Sequence, residues 1–294
     1  METEVFSQLQ LYLDYLRNIK FASGRTFLAY GHDLRKLAGF LDSKHTYKVG
    51  HISEALIEEF LANTKGESPA NFSRKLYAIK GFCKYLARKG FPAPEISIKA
   101  PKNHHRNISY LTDIEARRLL EVVANSHLPY FAPRDTAIVS LLLNTGIRVS
   151  ELTNLRIKDF EDVFGNSFFI NITRKGGDES RLPVSPNVAE NIKNYLLKRE
   201  TQPDEPLFLS RKGNRIKQNT VYWLVRSYLE KAGIKKEKMG PHVLRHTVGT
   251  SLRAKGFDLV TIQKLLGHKK LETTSIYMHV EPKDLERAVI ALNY

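Results

Sequence analysis

The segment from Pro241 to Thr247 brings an imidazole group and a guanidinium group together. His242 and Arg245 are three residues apart at a predicted helix start, which places both on one face. The imidazole can move a proton while the guanidinium holds phosphate oxygens, so the pair suits phosphoryl chemistry. His242 and His246 also have the spacing of a zinc pair, but Val243 stands where a metalloprotease helix has Glu. Zinc is therefore not expected, and His246 is expected to pack against or orient its neighbours.

Three further segments carry side chains with related chemistry. Arg148 follows a glycine turn at a predicted helix start, where backbone N–H groups favour an anion. Lys175 lies on a predicted β-turn, from which it can reach a DNA groove or a reacting phosphate. His268 follows a predicted helix end, and Tyr277 lies nine residues later. Taken singly, these residues have ordinary interpretations: an Arg148–Glu151 pair, a solubilising lysine and a packed tyrosine ring.

The first part of the chain is predicted to form helices. Apolar residues recur at spacings of three and four, and Ser23, Ser53 and Ser68 stand where N-caps are expected. The last of these helices ends at Gly90. Four or five short helices predict a compact all-α domain over residues 1–95.

Residues 96–110 are predicted to form a basic interdomain linker. Prolines stiffen this region, and the basic run from Lys99 to Arg106 can lie along phosphates. His104 and His105 are adjacent there, but no third metal ligand is near. They are expected to be solvated side chains.

Residues 111–294 are predicted to form a mainly α domain with one small antiparallel sheet. Thr112 and Glu115 have the spacing of a capping box, and residues 134–143 predict a strongly apolar helix. Two short runs, 168–173 and 181–184, flank a Gly-Gly turn and predict a hairpin. Further helices are predicted over 188–198, 220–232, 243–254 and 259–266, with an amphipathic one from Asp284.

The charge balance indicates a polyanionic partner. The 294 residues hold 46 Lys and Arg against 31 Asp and Glu, which gives a net charge of +15. Both parts of the chain share the excess, as expected if both contact nucleic acid. A hydrophobic content of 42% is typical of folded proteins and excludes disorder and a collagen-like repeat.

The cysteine count and the hydropathy pattern indicate the cytoplasm. Cys83 is the single cysteine, which excludes an internal disulfide and a Cys-rich zinc site. No stretch approaches 18 consecutive apolar residues, and acidic residues stand near the N-terminus where a signal peptide has basic ones. We expect a cytoplasmic protein that does not contact a membrane.

Together, and in this order, the four segments resemble the tyrosine recombinase (lambda-integrase) family. That family carries an arginine in a T-G-x-R-x-x-E-L context, a lysine on a hairpin, H-x-x-R-H, L-G-H and a nucleophilic tyrosine in an I-Y-x-H-V context. Residues 16–41 are similar to the family's core-binding domain, and the length and layout resemble Xer recombinases and compact transposon-borne enzymes. The residues that match the catalytic motifs are Arg148, Lys175, His242, Arg245, His268 and Tyr277.

The chain departs from the Xer pattern at three positions. Arg181 lies six residues after Lys175, where many Xer proteins have a basic residue at five. Gly249 stands where Xer proteins usually have alanine, and Met278 replaces the common threonine after the nucleophile. These departures favour an enzyme that integrates, excises or resolves DNA for a mobile element. A chromosome-dimer-resolving Xer recombinase stays open as the alternative.

The resemblance implies a mechanism that uses no cofactor and no metal ion. Tyr277 attacks a DNA phosphodiester to form a 3′-phosphotyrosyl link, and the 5′-hydroxyl group of a partner strand then attacks that link. The two matching arginines and His268 stabilise the transition state. Lys175 is the general acid for the leaving 5′-oxygen, and His242 assists proton transfer at the tyrosine.

The resemblance also implies a fold and partners. The fold is an N-terminal SAM-like helical bundle followed by a mainly α catalytic domain with a small antiparallel sheet. The substrate is a double-stranded DNA recombination site in the bacterial nucleoid, bound by a monomer or dimer at single sites and by a homotetramer in the synaptic complex. A partner recombinase or accessory protein joins it in some family members, and residues 285–292 dock either on a neighbouring protomer or on their own chain. The expected DNA contacts are Arg74, Lys75, Lys80, Lys84, Lys102, Arg106 and Arg174.

Other classes are weaker alternatives. A type IB topoisomerase shares the phosphotyrosine chemistry, but the N-terminal helical domain and the Xer-like layout argue against it. A non-catalytic DNA-binding regulator should have lost a catalytic group, and all six are present. An RNA-binding module would place exposed aromatic residues on a sheet, whereas the aromatic residues here mostly follow helical spacing.

Overall fold

The chain divides into two compact units, residues 1–106 and 107–294. The computed structural model describes residues 3–63, 66–101, 109–126, 131–163, 165, 167–174, 177–199, 201–268 and 274–277. The predicted linker boundaries at 95 and 111 stay predictions, because residues 102–108 lie outside the described residues. None of the helices in the described ranges is long and apolar enough to cross a bilayer.

The first unit is built from capped helices. The side chains of Thr3, Ser23, Ser53 and Ser68 each accept a hydrogen bond from a backbone N–H group of the first helical turn. The three serine caps predicted from the sequence are thereby confirmed. The helices are α1 (Glu4–Asn18), α2 (Gly24–Ser43), α3 (Glu54–Ala62) and α4 (Pro69–Arg88), with a 3₁₀ turn at Val49–His51.

The core of the first unit lies between α1, α2 and α4. Leu9 and Leu13 of α1, Leu34 of α2, and Ile79 and Phe82 of α4 are fully buried there. Their spacing of three and four residues places them on one face of each helix, and burial of that face stabilises helices that would be marginal alone.

The second unit is mainly helical, with one antiparallel sheet. The strand order is β1-β2-β3, and Ile170 pairs with Phe160 on one side and with Leu182 on the other. The predicted hairpin is confirmed, and the sequence analysis missed β1, a four-residue strand with two acidic residues. The elements are α5 (Asp113–Ala124), α6 (Ala132–Thr145), α7 (Val149–Asn154), β1 (Phe160–Val163), β2 (Ser167–Thr173), β3 (Glu179–Val184), α8 (Pro186–Leu196), α9 (Gln218–Lys231), α10 (Pro241–Ala254) and α11 (Leu259–Leu266), with 3₁₀ turns at Ile157–Asp159 and Ser275–Tyr277.

Helix α6 is the centre of the second unit. It contacts α5, α8 and α10, and consecutive residues such as Ile138 and Val139 are fully buried, as the strongly apolar sequence predicts. The helix ends at Gly146, which has a φ of 63° and donates its N–H to the Leu142 carbonyl. A Cβ at Gly146 would also overlap Leu266. Glycine is thus required both for the turn and for the contact with α11.

Tyr228 of α9 contacts a buried ion pair on α6. The Arg134 guanidinium donates twice to Asp135, at 2.9 and 2.7 Å, and the Tyr228 hydroxyl donates to the same carboxylate at 3.0 Å. Arg134 and Asp135 are 6% and 5% exposed. Burial raises the pKa of the Asp135 carboxyl, and Arg134 opposes that rise. The carboxylate therefore depends on its partner to stay ionised in the interior.

Replacing Arg134 should destabilise the second unit. We expect Arg134→Met to lower the free energy of unfolding by about 3–5 kcal/mol, because it leaves a buried carboxylate unpaired. Arg226→Met is the matched control, since the Arg226–Glu230 pair and the contact of Arg226 with the Trp223 ring are exposed and their loss should cost less than about 1 kcal/mol. Urea denaturation measures both, and equal losses for the two variants would contradict the assignment.

Candidate active site

The C-terminal end of α11 binds three arginine side chains. The last carbonyl groups of a helix have no partner within the helix, and that end carries partial negative charge. Arg148, Arg174 and Arg245 each donate hydrogen bonds to these groups, and the acceptors are the carbonyl oxygens of residues 264–267. The N–O distances lie between 2.6 and 3.2 Å. We call these three residues the arginine cluster.

Arg148 is held at the start of α7 by Glu151. Its Nη1 donates to Glu151 Oε1 and its backbone N–H to Oε2, both at 2.8 Å, and its Nη2 donates to the Gly267 carbonyl at 3.0 Å. The Glu151 side chain is buried, and one third of the Arg148 side chain is exposed. The Arg148–Glu151 pair, which the sequence offered as an ordinary interpretation, is therefore present. It holds in place an arginine that still reaches the surface.

Arg245 lies deeper in the same cluster. Its side chain projects from α10, is 8% exposed, and donates to the carbonyl oxygens of Gly146 at 2.5 Å and Leu266 at 2.6 Å. Burial and the neighbouring Arg148 lower the pKa of Arg245 to about 10, so it remains a cation at neutral pH. The two arginines that match the family motifs are thus brought together at one helix end.

His268 lies directly after α11, beside the arginine cluster. Its backbone N–H donates to the Gln263 carbonyl at 3.1 Å, and its Nδ1 lies 2.9 Å from the Thr274 hydroxyl oxygen. Burial, together with the positive charges of Arg245 and Arg148, lowers the pKa of His268 to about 4. The imidazole is therefore neutral at physiological pH.

Tyr277 is buried between α10 and α11. Its ring is 4% exposed and packs with Val248, Ile262 and Leu266. It stacks on the His268 ring at a centroid distance of 6.5 Å and an angle of 13°. Burial raises the pKa of the Tyr277 hydroxyl, which Arg245 opposes.

Gly249 supplies the space for the Tyr277 ring. It lies on α10, and a Cβ at this position would overlap the ring atoms of Tyr277, including Cε2 at 2.6 Å. Gly249, one of the departures from the Xer pattern, therefore leaves the space that the Tyr277 ring occupies in this structure.

His242 lies in the first turn of α10 with an exposed side chain. Its proximity contributes to the low pKa of His246, one turn further along the helix. His242 thus lies near the half-buried His246 but is itself exposed at the protein surface. Lys175, the remaining predicted catalytic residue, lies outside the described residues.

Arg174, one of the predicted DNA contacts, lies in the interior beside the end of α11. It is 8% exposed; its Nε donates to the Ser180 hydroxyl at 2.8 Å, and its Nη2 donates to the end of α11. A Cβ at Gly267 would overlap the guanidinium, so this glycine admits the arginine. The contact of Arg174 with DNA stays a prediction. The position of this arginine beside Lys175 in the hairpin sequence was the one signal that could have assigned it to the site.

Lys75, predicted on the basic surface of the first unit, is buried instead. Its side chain is 2% exposed, its Nζ pairs with Glu67 at 2.6 Å, and it lies over the Phe60 ring. A buried ammonium group already paired with a carboxylate is not available to a phosphate.

The other predicted DNA contacts differ in exposure. Arg74 is partly exposed and pairs with the buried Asp33 at 3.2 Å. Lys80 is half-buried and Lys84 is exposed. Lys102 and Arg106 lie outside the described residues. Within the described ranges, no group of three or more His, Cys, Asp or Glu side chains could hold a metal ion.

The low histidine pKa values predict a pH-dependent stability. His246 also has its pKa lowered to about 4, chiefly by burial, against 6.5 for a free imidazole. Between pH 6.5 and about 4 the unfolded chain binds protons that the folded chain does not, so the free energy of unfolding should fall as the pH falls through this range. NMR titration of the imidazole groups measures both pKa values. A ring of His246 or His268 that titrates near pH 6.5 would contradict the prediction.

Comparison with known proteins identifies the family. The phage integrase family model matches residues 109–284, and the model of the phage integrase N-terminal SAM-like domain matches residues 9–90. A tyrosine recombinase of Pseudothermotoga lettingae is 34% identical, over 92% of this chain and 93% of its own. Tyrosine recombinase XerC of Thermodesulfovibrio yellowstonii is also 34% identical, over 93% and 92%.

Solved structures agree with the sequence relatives. The pre-cleavage complex of XerH site-specific recombinase with its difH substrate has a TM-score of 0.78 and 27% identity, covering 96% of this chain and 83% of that one. The XerA recombinase has a TM-score of 0.52 and 30% identity, covering 98% of both. The predicted resemblance and fold class are confirmed. The chain belongs to the phage integrase family and is a tyrosine recombinase, an enzyme that breaks and rejoins DNA at specific sites.

Proposed function

We propose that Tyr277 is the nucleophile and that strand exchange proceeds through a 3′-phosphotyrosyl intermediate. The observation that carries the proposal is the meeting of Tyr277, His268 and the arginine cluster at the end of α11. A tyrosine beside several cations and a neutral imidazole suits attack on a phosphodiester, because the developing charge is stabilised where it forms.

Arg148 and Arg245 stabilise the transition state in this proposal. Each Nη nitrogen of Arg148 carries two hydrogens, and the contacts to Glu151 and Gly267 use one on each. Since one third of this side chain is exposed, its remaining donors are open to phosphate oxygens. Arg245 adds a buried positive charge behind it.

The bond changes in this proposal balance without a cofactor or a metal ion. The Tyr277 oxygen forms a bond to phosphorus as the bond from phosphorus to the 5′-oxygen breaks. His242 assists removal of the tyrosine proton, and Lys175 protonates the leaving 5′-oxygen. The 5′-hydroxyl group of a partner strand then reverses these changes, so the bond energy is conserved.

The substrate we propose is a duplex recombination site. The XerH structure is a complex with its difH substrate. The net charge of +15 suits this chain to bind a polyanionic partner of the same kind. Affinity that depends on phosphate contacts should fall steeply with salt. We propose a monomer or dimer on single sites and a homotetramer in the synaptic complex, in the bacterial cytoplasm and its nucleoid.

Two biological roles fit this chemistry. The departures at Gly249, Arg181 and Met278 favour recombination for a mobile element, by integration, excision or resolution. The relatives named XerC and XerD, at 29% to 34% identity, support chromosome-dimer resolution as the alternative. Assays on the two kinds of recombination site separate these roles, because the active site is the same in both.

Loss of the Tyr277 hydroxyl should abolish the covalent intermediate. On a nicked suicide substrate in EDTA, the wild type should form a protein–DNA adduct on denaturing gels, and Tyr277→Phe should form none. Arg148→Ala should slow adduct formation about 10²–10³-fold, by analogy with a lost oxyanion donor. Tyr195→Phe is the matched control, because it removes a buried hydroxyl that accepts from the Leu209 N–H group.

An adduct that survives Tyr277→Phe would show that another residue is the nucleophile. Strand-transfer products from the wild type separate a recombinase from a topoisomerase. Tight, salt-sensitive binding without an adduct would instead support a non-catalytic regulator or a missing partner protein.

A methyl group at position 249 should displace the nucleophile. We expect Gly249→Ala to slow cleavage about 10²-fold, because its Cβ overlaps the Tyr277 ring and small misplacements of reacting groups are costly. Affinity for the same DNA should be unchanged. Gly39→Ala is the matched helical control, since nothing lies within 4 Å of a Cβ at that position. If Gly249→Ala cleaved DNA at the wild-type rate, the Tyr277 ring would not occupy this position when it reacts.

A further inference from the structure

The Tyr277 hydroxyl group contacts a histidine that is not one of the six predicted catalytic residues. His246 Nδ1 lies 3.1 Å from the Tyr277 hydroxyl oxygen, and the two rings meet edge to face at a centroid distance of 6.0 Å. We propose that His246 is a further catalytic residue, which accepts a hydrogen bond from the Tyr277 hydroxyl and holds the attacking oxygen in place. The proposal rests on the proposed role of Tyr277 as nucleophile.

Both groups of this hydrogen bond are neutral at neutral pH, and we assign the imidazole proton to Nε2, so that the tyrosine hydroxyl donates. Burial raises the pKa of Tyr277, so the hydroxyl keeps its proton at neutral pH. Burial, then the nearby His242, Arg245 and Lys238, lower the pKa of His246 to about 4, so its ring is neutral. A neutral ring with its proton on Nε2 offers Nδ1 as the acceptor, and the tyrosine hydroxyl donates.

His246 and Gly249 both lie at the hydroxyl end of the tyrosine. They are three residues apart on α10, so they share one face of the helix. Gly249 gives the ring its space, and His246 contacts the hydroxyl. One helix face therefore fixes the plane of the ring and the position of its oxygen together.

The neighbouring histidines have other contacts. His268 stacks parallel to the Tyr277 ring and directs its Nδ1 to the Thr274 hydroxyl. His242 lies at the exposed start of α10. The edge-to-face geometry of His246 places an imidazole nitrogen at the Tyr277 oxygen.

The test compares His246→Leu with His246→Asn in single-turnover cleavage of the nicked suicide substrate by the full chain. The asparagine amide can reach the position of Nδ1 and accept the same hydrogen bond, whereas leucine cannot. We expect leucine to slow cleavage about 10²-fold and asparagine to stay within about tenfold of the wild type. Affinity for the DNA, measured with the unnicked site, should be unchanged in both.

A second substrate locates the defect at the nucleophile. A bridging sulfur in place of the scissile 5′-oxygen leaves as a thiolate and needs no general acid. We expect His246→Leu to stay slow on this substrate, because the attacking oxygen is still misplaced. Lys175→Ala serves as the comparison, since a defect in the leaving group should be largely restored by the sulfur.

Each outcome decides the proposal. Three results would each overturn the role proposed for His246. They are cleavage at the wild-type rate by His246→Leu, recovery of that variant on the sulfur substrate, and cleavage by His246→Asn as slow as that by His246→Leu. If thermal unfolding shows that the leucine variant is not folded, His246→Gln replaces it. The glutamine amide reaches the position of Nε2 and not that of Nδ1, so this variant should cleave slowly where His246→Asn cleaves well. Absence of an adduct with the wild type would overturn the proposed function instead.

Discussion

The carbonyl groups at the end of α11 are the constraint on which the active site depends. Four successive backbone oxygens need donors, and the arginine cluster supplies them from α7, α10 and the β2–β3 hairpin. Three guanidinium groups so close together repel one another, which the negative end of the helix and the buried Glu151 offset. An anion placed against them would lower the remaining repulsion. In the proposed function, the backbone of the fold therefore prepares these cations for a phosphate before any substrate binds.

Three glycines allow this arrangement to be compact. Gly146 makes room for Leu266, Gly249 for the Tyr277 ring and Gly267 for the Arg174 guanidinium. In each case a methyl group would overlap a neighbour that belongs to the site or supports it. The Nε and Nη2 atoms of Arg174 donate to hydroxyl and backbone oxygens beside Gly267, while its buried Nη1 has no hydrogen-bond partner. The site is thus held by close backbone approach as much as by side-chain pairing.

Local signals in the sequence were sufficient to predict most helices and strands. Where a prediction failed, the structure shows a tertiary contact that no local signal reports. Ser23 and the Thr112–Glu115 capping box act within one helical turn, so their spacing alone predicts them. Strand β1 is held by its pairing with β2, which no local pattern reports. Lys75 was expected on the surface because lysine is rarely buried, but Glu67 and Phe60 accommodate it. The contact of His246 with Tyr277 joins residues 31 apart in the chain and could be found only from the fold.

The use of main-chain oxygens by the arginine cluster has a consequence for how this enzyme can change in evolution. The exposed side chain of Lys264 takes no part in these bonds, so the residue there can vary while the carbonyl group remains. The position at which α11 ends cannot vary in the same way. One inserted residue would turn the last carbonyl groups by about 100° around the helix axis and carry them about 1.5 Å along it. Selection should therefore tolerate substitution at the exposed positions of this helix and reject insertions or deletions within it.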